Sequence, residues 1–231
     1  VCASLFTPFK FVDKKAILKF KSVSIKRVKP VSVNTYLRHI KSGLNWAKDE
    51  EYLEKSPVIK MYKIGKSLPR HLSIEEIDKI LNHAKKTKPE MCRIIKFALF
   101  TGCRREEIIK ARYEHIQGDT IKIFGKGSKE RTIPLLPQAL DRRHDIGKIF
   151  RYKHVSTISN YFRDKIVRKI GIQSRFHDLR HTAATMMLSK GIKLETIQKI
   201  LGHADIRTTQ IYSQVLAESM AEEMQKLNYD K

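Results

Sequence analysis

Residues 177–212 read HDLRHTAATMMLSKGIKLETIQKILGHADIRTTQIY, and the punctuation of this stretch decides the fold. Apolar side chains recur at helical spacing over about 178–190, 194–201 and 206–226, and Gly191 and Gly202 stand at the junctions as C-terminal stops. The spacing predicts three short helices in succession. Upstream, another helix is expected at about 157–169, closed by Gly171. Before it the period changes. Ile121 and Ile123 alternate with polar neighbours, residues 125–129 (GKGSK) supply a turn, and Ile133 and Leu135 alternate again. That is a β-hairpin with a basic, glycine-rich tip. Residues 104–112 read as helix, as do 89–99 before Gly102, and Ser73 with Glu76 forms a capping box that opens a helix to about Lys86. In the first part Val33, Leu37, Ile40, Leu44 and Ala47 mark an amphipathic helix within 31–54, preceded by a short basic helix at 16–28 broken by Pro30. The fold class is mainly α with a small antiparallel β-sheet.

The chain has 231 residues, enough for one or two domains at roughly 150 residues each. No apolar run approaches the ~20 consecutive residues that a membrane helix needs, so no membrane span is expected. Its 47 Lys and Arg outnumber 24 Asp and Glu, a formal charge of +23. Solubility asks for only about 2–8 charges in a small domain, so a large polyanion is the natural partner, and nucleic acid is the commonest. Charge alone does not separate DNA from RNA, or an enzyme from a packaging protein. Residues 1–70 hold 16 basic and 5 acidic side chains and residues 71–231 hold 31 and 19, so the excess is denser at the start but present throughout. The three cysteines, Cys2, Cys92 and Cys103, show no C-x-x-C spacing, which fits a reducing cytosol better than a disulfide framework or a zinc finger. The chain opens on Val1 without a secretory signal, which reads as a fragment whose upstream residues are missing.

Four features carry candidate chemistry: Thr101-Gly-Cys-Arg104 with Glu107, Lys126 between two glycines, His177 with Arg180 and His181, and Leu201-Gly-His203 followed by Tyr212. Each has an ordinary reading alone. A single Arg in so basic a chain is usually solvated, Lys126 could be a turn residue, and Tyr212 could be packing. His177 and His181 are spaced as metal ligands can be. The Glu of an H-E-x-x-H signature is missing, however, and no metal or other cofactor is expected.

Together, and in this order, they resemble the tyrosine recombinase (phage integrase) family over about residues 70–220. The N-terminal helix and its EYLEKSP exit (residues 51–57) resemble part of that family's helical core-DNA-binding domain. The resemblance implies a catalytic domain of that type at 71–231, ending in a tail helix. A basic linker at 57–70 and a partial, SAM-like core-binding domain at 1–56 would precede it. It implies site-specific recombination or integration through a 3′-phosphotyrosyl intermediate, needing neither metal nor ATP because one phosphodiester is exchanged for another. Tyr212 matches the nucleophile. Arg104 and Arg180 match the arginines that stabilise the phosphorane-like transition state, a task suited to guanidinium groups, which do not lose their proton. His177 matches the base or proton handler, His203 a transition-state donor, and Lys126 the general acid that protonates the leaving 5′ oxygen. Glu107 and His181 match supporting positions, His181 orienting its helix.

The partner implied is double-stranded DNA. The family assembles as a tetramer on two sites and is monomeric or dimeric when free, with accessory DNA-bending proteins as further partners and the nucleoid of the cytoplasm as the location. Arg38, Lys41, Lys60, Lys63, Lys66, Lys129 and Arg131 are expected DNA contacts. The basic segment 140–158 runs along the DNA backbone or is a solvated loop. The apolar tail, with Val215, Leu216, Met220, Met224 and Leu227 at helical spacing, docks on a neighbouring protomer or packs in cis. Residues 1–56 are too few for the family's usual four-helix domain, so either sequence is lost or the module is abbreviated. Two rivals remain at this point. A type IB topoisomerase would share the chemistry. A noncatalytic helix-turn-helix protein would use residues 194–212 to read a groove, but would leave Arg104, Lys126 and the His-x-x-Arg pattern unexplained.

Overall fold

The computed structural model describes residues 12–65, 68–125, 130–140 and 146–224, with side chains up to residue 217. The chain forms two compact units, residues 1–67 and 68–231.

In the first unit α1 spans Lys14–Ser24 and α2 spans Pro30–Asp49. Asp13 opens α1 by accepting the backbone N–H of Ala16 at 2.7 Å. Pro30, expected to break a helix, instead occupies the first turn of α2, where its missing N–H costs nothing. That helix ends five residues before the expected limit because Glu51 turns left-handed (φ 61°) and Leu53 donates back to the carbonyl of Ala47. Val33, Leu37 and Leu44 pack with Ile17 and Ile59. The segment expected to be a linker thus lies partly in this core. Its attachment is specific: the buried Asn34 amide takes the N–H of Tyr62 at 2.8 Å and donates to the Tyr62 carbonyl at 2.9 Å.

The second unit begins with α3 (Ile74–Thr87), whose capping box between Ser73 and Glu76 forms as the sequence predicts. Next come α4 (Pro89–Thr101) and α5 (Arg105–Lys110). A three-stranded antiparallel sheet follows in the order β1 (Ile116–Gln117), β2 (Thr120–Phe124) and β3 (Glu130–Pro134). The hairpin is the expected one. The two-residue β1 has too short a pattern to be read from sequence. Ile121 faces Ile133 and Ile123 faces Arg131, so Arg131 lies on the buried face of the hairpin.

Helix α6 covers only Val155–Tyr161 and continues as a π turn over Phe162–Ile166 and a 3₁₀ turn over Val167–Ile170. This replaces the single helix read from 157–169. The core clusters about α4, with Ile94, Ile95 and Phe97 fully enclosed and the Phe97 and Phe150 rings meeting edge to face at 5.3 Å. The segment after residue 146 therefore joins the core on one side and is exposed and basic on the other. Ile149, Phe150 and Tyr152 point into the core, while Lys148, Arg151 and Lys153 alternate outward. Residues 141–145, with Arg142 and Arg143, lie outside the described residues.

Three helices complete the unit as expected: α7 (Asp178–Ser189), α8 (Leu194–Leu201) and α9 (Arg207–Met224). Gly191 and Gly202 at their boundaries are left-handed, as is Gly171 at the end of the preceding 3₁₀ turn. Val215 is buried within its own chain, whereas the side chains of Met220, Met224 and Leu227 lie outside the described set. Among the described residues no helix is long and apolar enough to cross a membrane.

Candidate active site

The site is built where the end of α4, the start of α7 and the end of α8 meet. Gly102 closes α4 in a left-handed conformation (φ 62°), and its missing side chain leaves room for Leu201 of α8. Two residues on, Arg104 precedes α5, and Glu107 in the first turn accepts its backbone N–H at 2.7 Å. The same carboxylate takes Nη1 of Arg104 at 3.0 Å, which aims the guanidinium, and Nη2 extends toward the carbonyl of Gly202 at 3.4 Å.

Arg131 grips the other side of Glu107. Its Nη1 and Nη2 donate to the two carboxylate oxygens at 2.9 Å each, and its Nε donates to the carbonyl of Ile200 at 2.6 Å. Expected as a DNA contact, it has its donors committed inside the protein. Burial alone would raise the Glu107 pKa, but the hydrogen bonds and charge of Arg131, with help from Arg104, hold it below the usual carboxylate range. Gly202 makes this approach feasible, since a Cβ there would meet the Arg131 guanidinium and Cδ at 3.0–3.3 Å.

Arg180, one turn into α7 and 3% exposed, donates Nη1 to Gly102 O at 2.7 Å and Nη2 to Leu201 O at 2.9 Å. Two helix ends are thereby tied to one guanidinium, and Arg104 and Arg180 converge on the turn that carries Gly202 and His203. Burial, together with the nearby Arg104 charge, lowers the Arg180 pKa to about 10. It stays protonated at neutral pH. Burying Arg180 beside a second, partly exposed cation costs stability, and an anion seated between them would relieve that cost.

His177 stands at the N-terminus of α7 and meets the ring of His181 edge-on at 4.8 Å. Burial and the charges of Arg180 and Arg105 lower its pKa. Arg105, to which the sequence assigned no task, is anchored to the hydroxyl of Ser159 at 2.7 Å. His203 follows Gly202 and is fixed through Nδ1 to the Thr209 hydroxyl at 2.9 Å. Burial, then Arg180 and Arg104, push its pKa down to about 4. His181 is likewise pushed to about 4, by burial first and then by His177. All three rings are neutral at pH 7, able to donate one hydrogen bond and accept another.

Tyr212 lies on α9, only 1% exposed, packed with Ala184, Ile197 and Leu201. Its hydroxyl sits 3.0 Å from Nδ1 of His181 rather than against His177. Burial raises its pKa, opposed by Arg180 and Arg104. Ile197, Leu201 and Tyr212 share one buried cluster, while Glu195, Thr196 and Lys199 on the other side of α8 are exposed.

Of the other expected positions, Arg38, Lys41, Lys60 and Lys63 are exposed on the first unit, while Lys66, Lys126 and Lys129 lie outside the described residues. Among the described residues no three His, Cys, Asp or Glu side chains are grouped as a metal site would require.

This geometry can be set beside known proteins. The tyrosine recombinase XerA of Pyrococcus furiosus is 33% identical over 232 residues, covering 92% of this chain and 78% of the relative. A lambda integrase dimer bound to a COC′ core site has the same fold, with a TM-score of 0.75 at 19% identity, covering 97% of this chain and 68% of that one. A lambda integrase tetramer bound to a Holliday junction matches with a TM-score of 0.69 at 20% identity over 84% of this chain and 65% of that one. The model of the phage integrase family matches residues 70–219, the span that holds every residue of the site just described, and the chain belongs to that family of tyrosine-type site-specific recombinases.

Proposed function

We propose that this recombinase cuts and rejoins duplex DNA through a covalent bond between Tyr212 and a 3′ phosphate, with the site residues in the roles that follow. One observation carries the reading. Arg104 and Arg180 are held by separate anchors and turned toward the same short turn, with neutral His177, His203 and Tyr212 around them. Attack by Tyr212 on a phosphodiester places added charge on the nonbridging oxygens, and two fixed guanidinium groups oppose that charge without reorganising. His203 and His177 donate hydrogen bonds to the same oxygens. Lys126, on the hairpin between β2 and β3, protonates the departing 5′ oxygen. Glu107 and Arg131 fix Arg104 and do no chemistry. No nucleoside triphosphate is needed, since the phosphotyrosyl bond conserves the energy of the bond cut, and cations of the protein do the work that metals do elsewhere.

The first unit, with exposed Arg38, Lys41, Lys60 and Lys63, acts as the second hand on the duplex. Two cuts on each of two duplexes call for four protomers. The integrase tetramer on a Holliday junction supports that assembly for this fold, and protomers free of DNA would be monomers or dimers. DNA-bending proteins would assist, and the place of action would be nucleoid DNA in the cytoplasm.

The test uses nicked duplexes carrying candidate sites, incubated with the protein without Mg²⁺. A covalent protein–DNA adduct that forms with the wild type and vanishes in Tyr212→Phe is the expected result. No adduct on any site that the protein binds tightly would refute the reading.

A further inference from the structure

Two imidazoles lie one turn apart on α7, and the tyrosine hydroxyl bonds one of them. Tyr212 Oη is 3.0 Å from Nδ1 of His181, with the two ring centroids 5.9 Å apart. The His177 ring lies beyond, edge-on to His181 at 4.8 Å. We propose that His181, rather than His177, takes the proton of Tyr212 when the strand is cut and returns it when the strand is rejoined. The inference rests on Tyr212 being the nucleophile.

Reach is the first requirement of a proton acceptor, and His181 meets it within hydrogen-bond distance. Tyr212 is 1% exposed among Ala184, Ile197 and Leu201, so bulk water has little access to its hydroxyl. For the phenol to donate, His181 must be neutral with its proton on Nε2. Its surroundings secure that state: burial, then His177 and Arg180, depress its pKa to about 4, with Asp178 opposing. The arriving phosphodiester anion offsets the Arg180 charge and so raises the basicity of His181 as the substrate binds.

The step balances. As the Tyr212 Oη–P bond forms and the P–O5′ bond breaks, the phenolic proton passes to Nδ1 of His181, and the leaving 5′ oxygen takes a proton from the Lys126 ammonium. On rejoining, the 5′ hydroxyl attacks phosphorus and gives its proton back to Lys126. The Tyr212 oxygen leaves, and His181 re-protonates it.

The experiment measures adduct formation on the nicked duplexes from about pH 5.5 to 9 for the wild type, His181→Gln and His177→Gln, with DNA binding measured in parallel. His181→Gln should bind DNA within about twofold of the wild type but form adduct about 100-fold more slowly at pH 7, as loss of a general base does. That deficit should shrink about tenfold per pH unit, because prior ionisation of the phenol replaces the missing acceptor. His177→Gln should show no such recovery. Added imidazole should restore cleavage to His181→Ala, a readout that a merely structural histidine would not give. Unfolding curves for each variant confine the comparison to folded protein. The proposal is overturned if His181→Gln cuts like the wild type, if its deficit is the same at every pH, if imidazole restores nothing, or if His177→Gln shows the recovery instead. An adduct with Tyr212→Phe would overturn the nucleophile assignment itself, whatever His181 does.

Discussion

Arg131 holds Glu107 through both carboxylate oxygens at 2.9 Å, with the Glu107 side chain only 2% exposed. Because Arg131 also donates to Ile200 and Glu107 also receives Arg104, the pair links β3, α5 and the end of α8. Breaking a buried pair from one side strands a charge, which costs about 3–5 kcal/mol. Arg131→Met should therefore lower the thermal midpoint by about 6–20 °C, read by circular dichroism. Arg131→Lys should recover little, since an ammonium cannot make the fork. Unchanged midpoints would show that the guanidinium is dispensable.

Gly202 and Gly191 separate two reasons for a glycine. Both are left-handed, φ 68° and 80°, but a Cβ at Gly202 meets Arg131 at 3.0–3.3 Å, whereas at Gly191 it meets nothing within 4 Å. Gly191→Ala should cost only the backbone term, about 1–2 kcal/mol, and leave cleavage intact. Gly202→Ala should cost more and also slow cleavage, because the Arg131 side chain must move away from the turn that carries His203. Equal stability losses with unaffected cleavage in both would remove the close approach from the argument.

The same comparison shows what was legible in the sequence. The helices from α7 to α9 were readable because glycine stops and apolar spacing are local, and the family because the order of its motifs along the chain is distinctive. The role of Arg131 was within reach. It is in phase with Ile133 and Leu135, so alternation alone puts it on the inner face of the hairpin, and its charge drew the reading outward instead. The contact between His181 and Tyr212 was out of reach, since it depends on how α9 packs on α7, 31 residues apart in sequence. So did the burial of Phe150, whose basic neighbours mask an alternating core segment, and the π turn at Phe162–Ile166, which no composition marks.

Arg180 should separate binding from chemistry. It is buried and fixed to the carbonyls of Gly102 and Leu201, so its guanidinium is held in place before any substrate arrives. Arg180→Lys keeps a charge but loses the fork. Adduct formation should fall at least about 100-fold, in line with losing a preorganised donor, while DNA affinity changes less than about threefold. A parallel fall in both would make Arg180 one phosphate contact among many.

The buried histidines give stability a pH dependence of definite sign. His181 and His203 have folded-state values near 4, and His177 is lowered too, against about 6.5 in an unfolded chain. Between about pH 6.5 and 4 the unfolded chain therefore binds protons that the folded chain refuses, so stability falls as pH drops through that window. Glu107, held below the usual carboxylate range, contributes stability that is lost only lower, as pH falls through its folded value. The interval from about pH 6.5 to 5 thus isolates the histidines. Urea midpoints followed by circular dichroism at about pH 7.5, 6.5, 5.5 and 5 should decline across it, and His203→Gln and His181→Gln should each flatten the decline. A wild-type midpoint that stays level down to about pH 5 would mean that these rings accept protons in the folded state. Their neutrality, on which the proton path from Tyr212 depends, would then be lost.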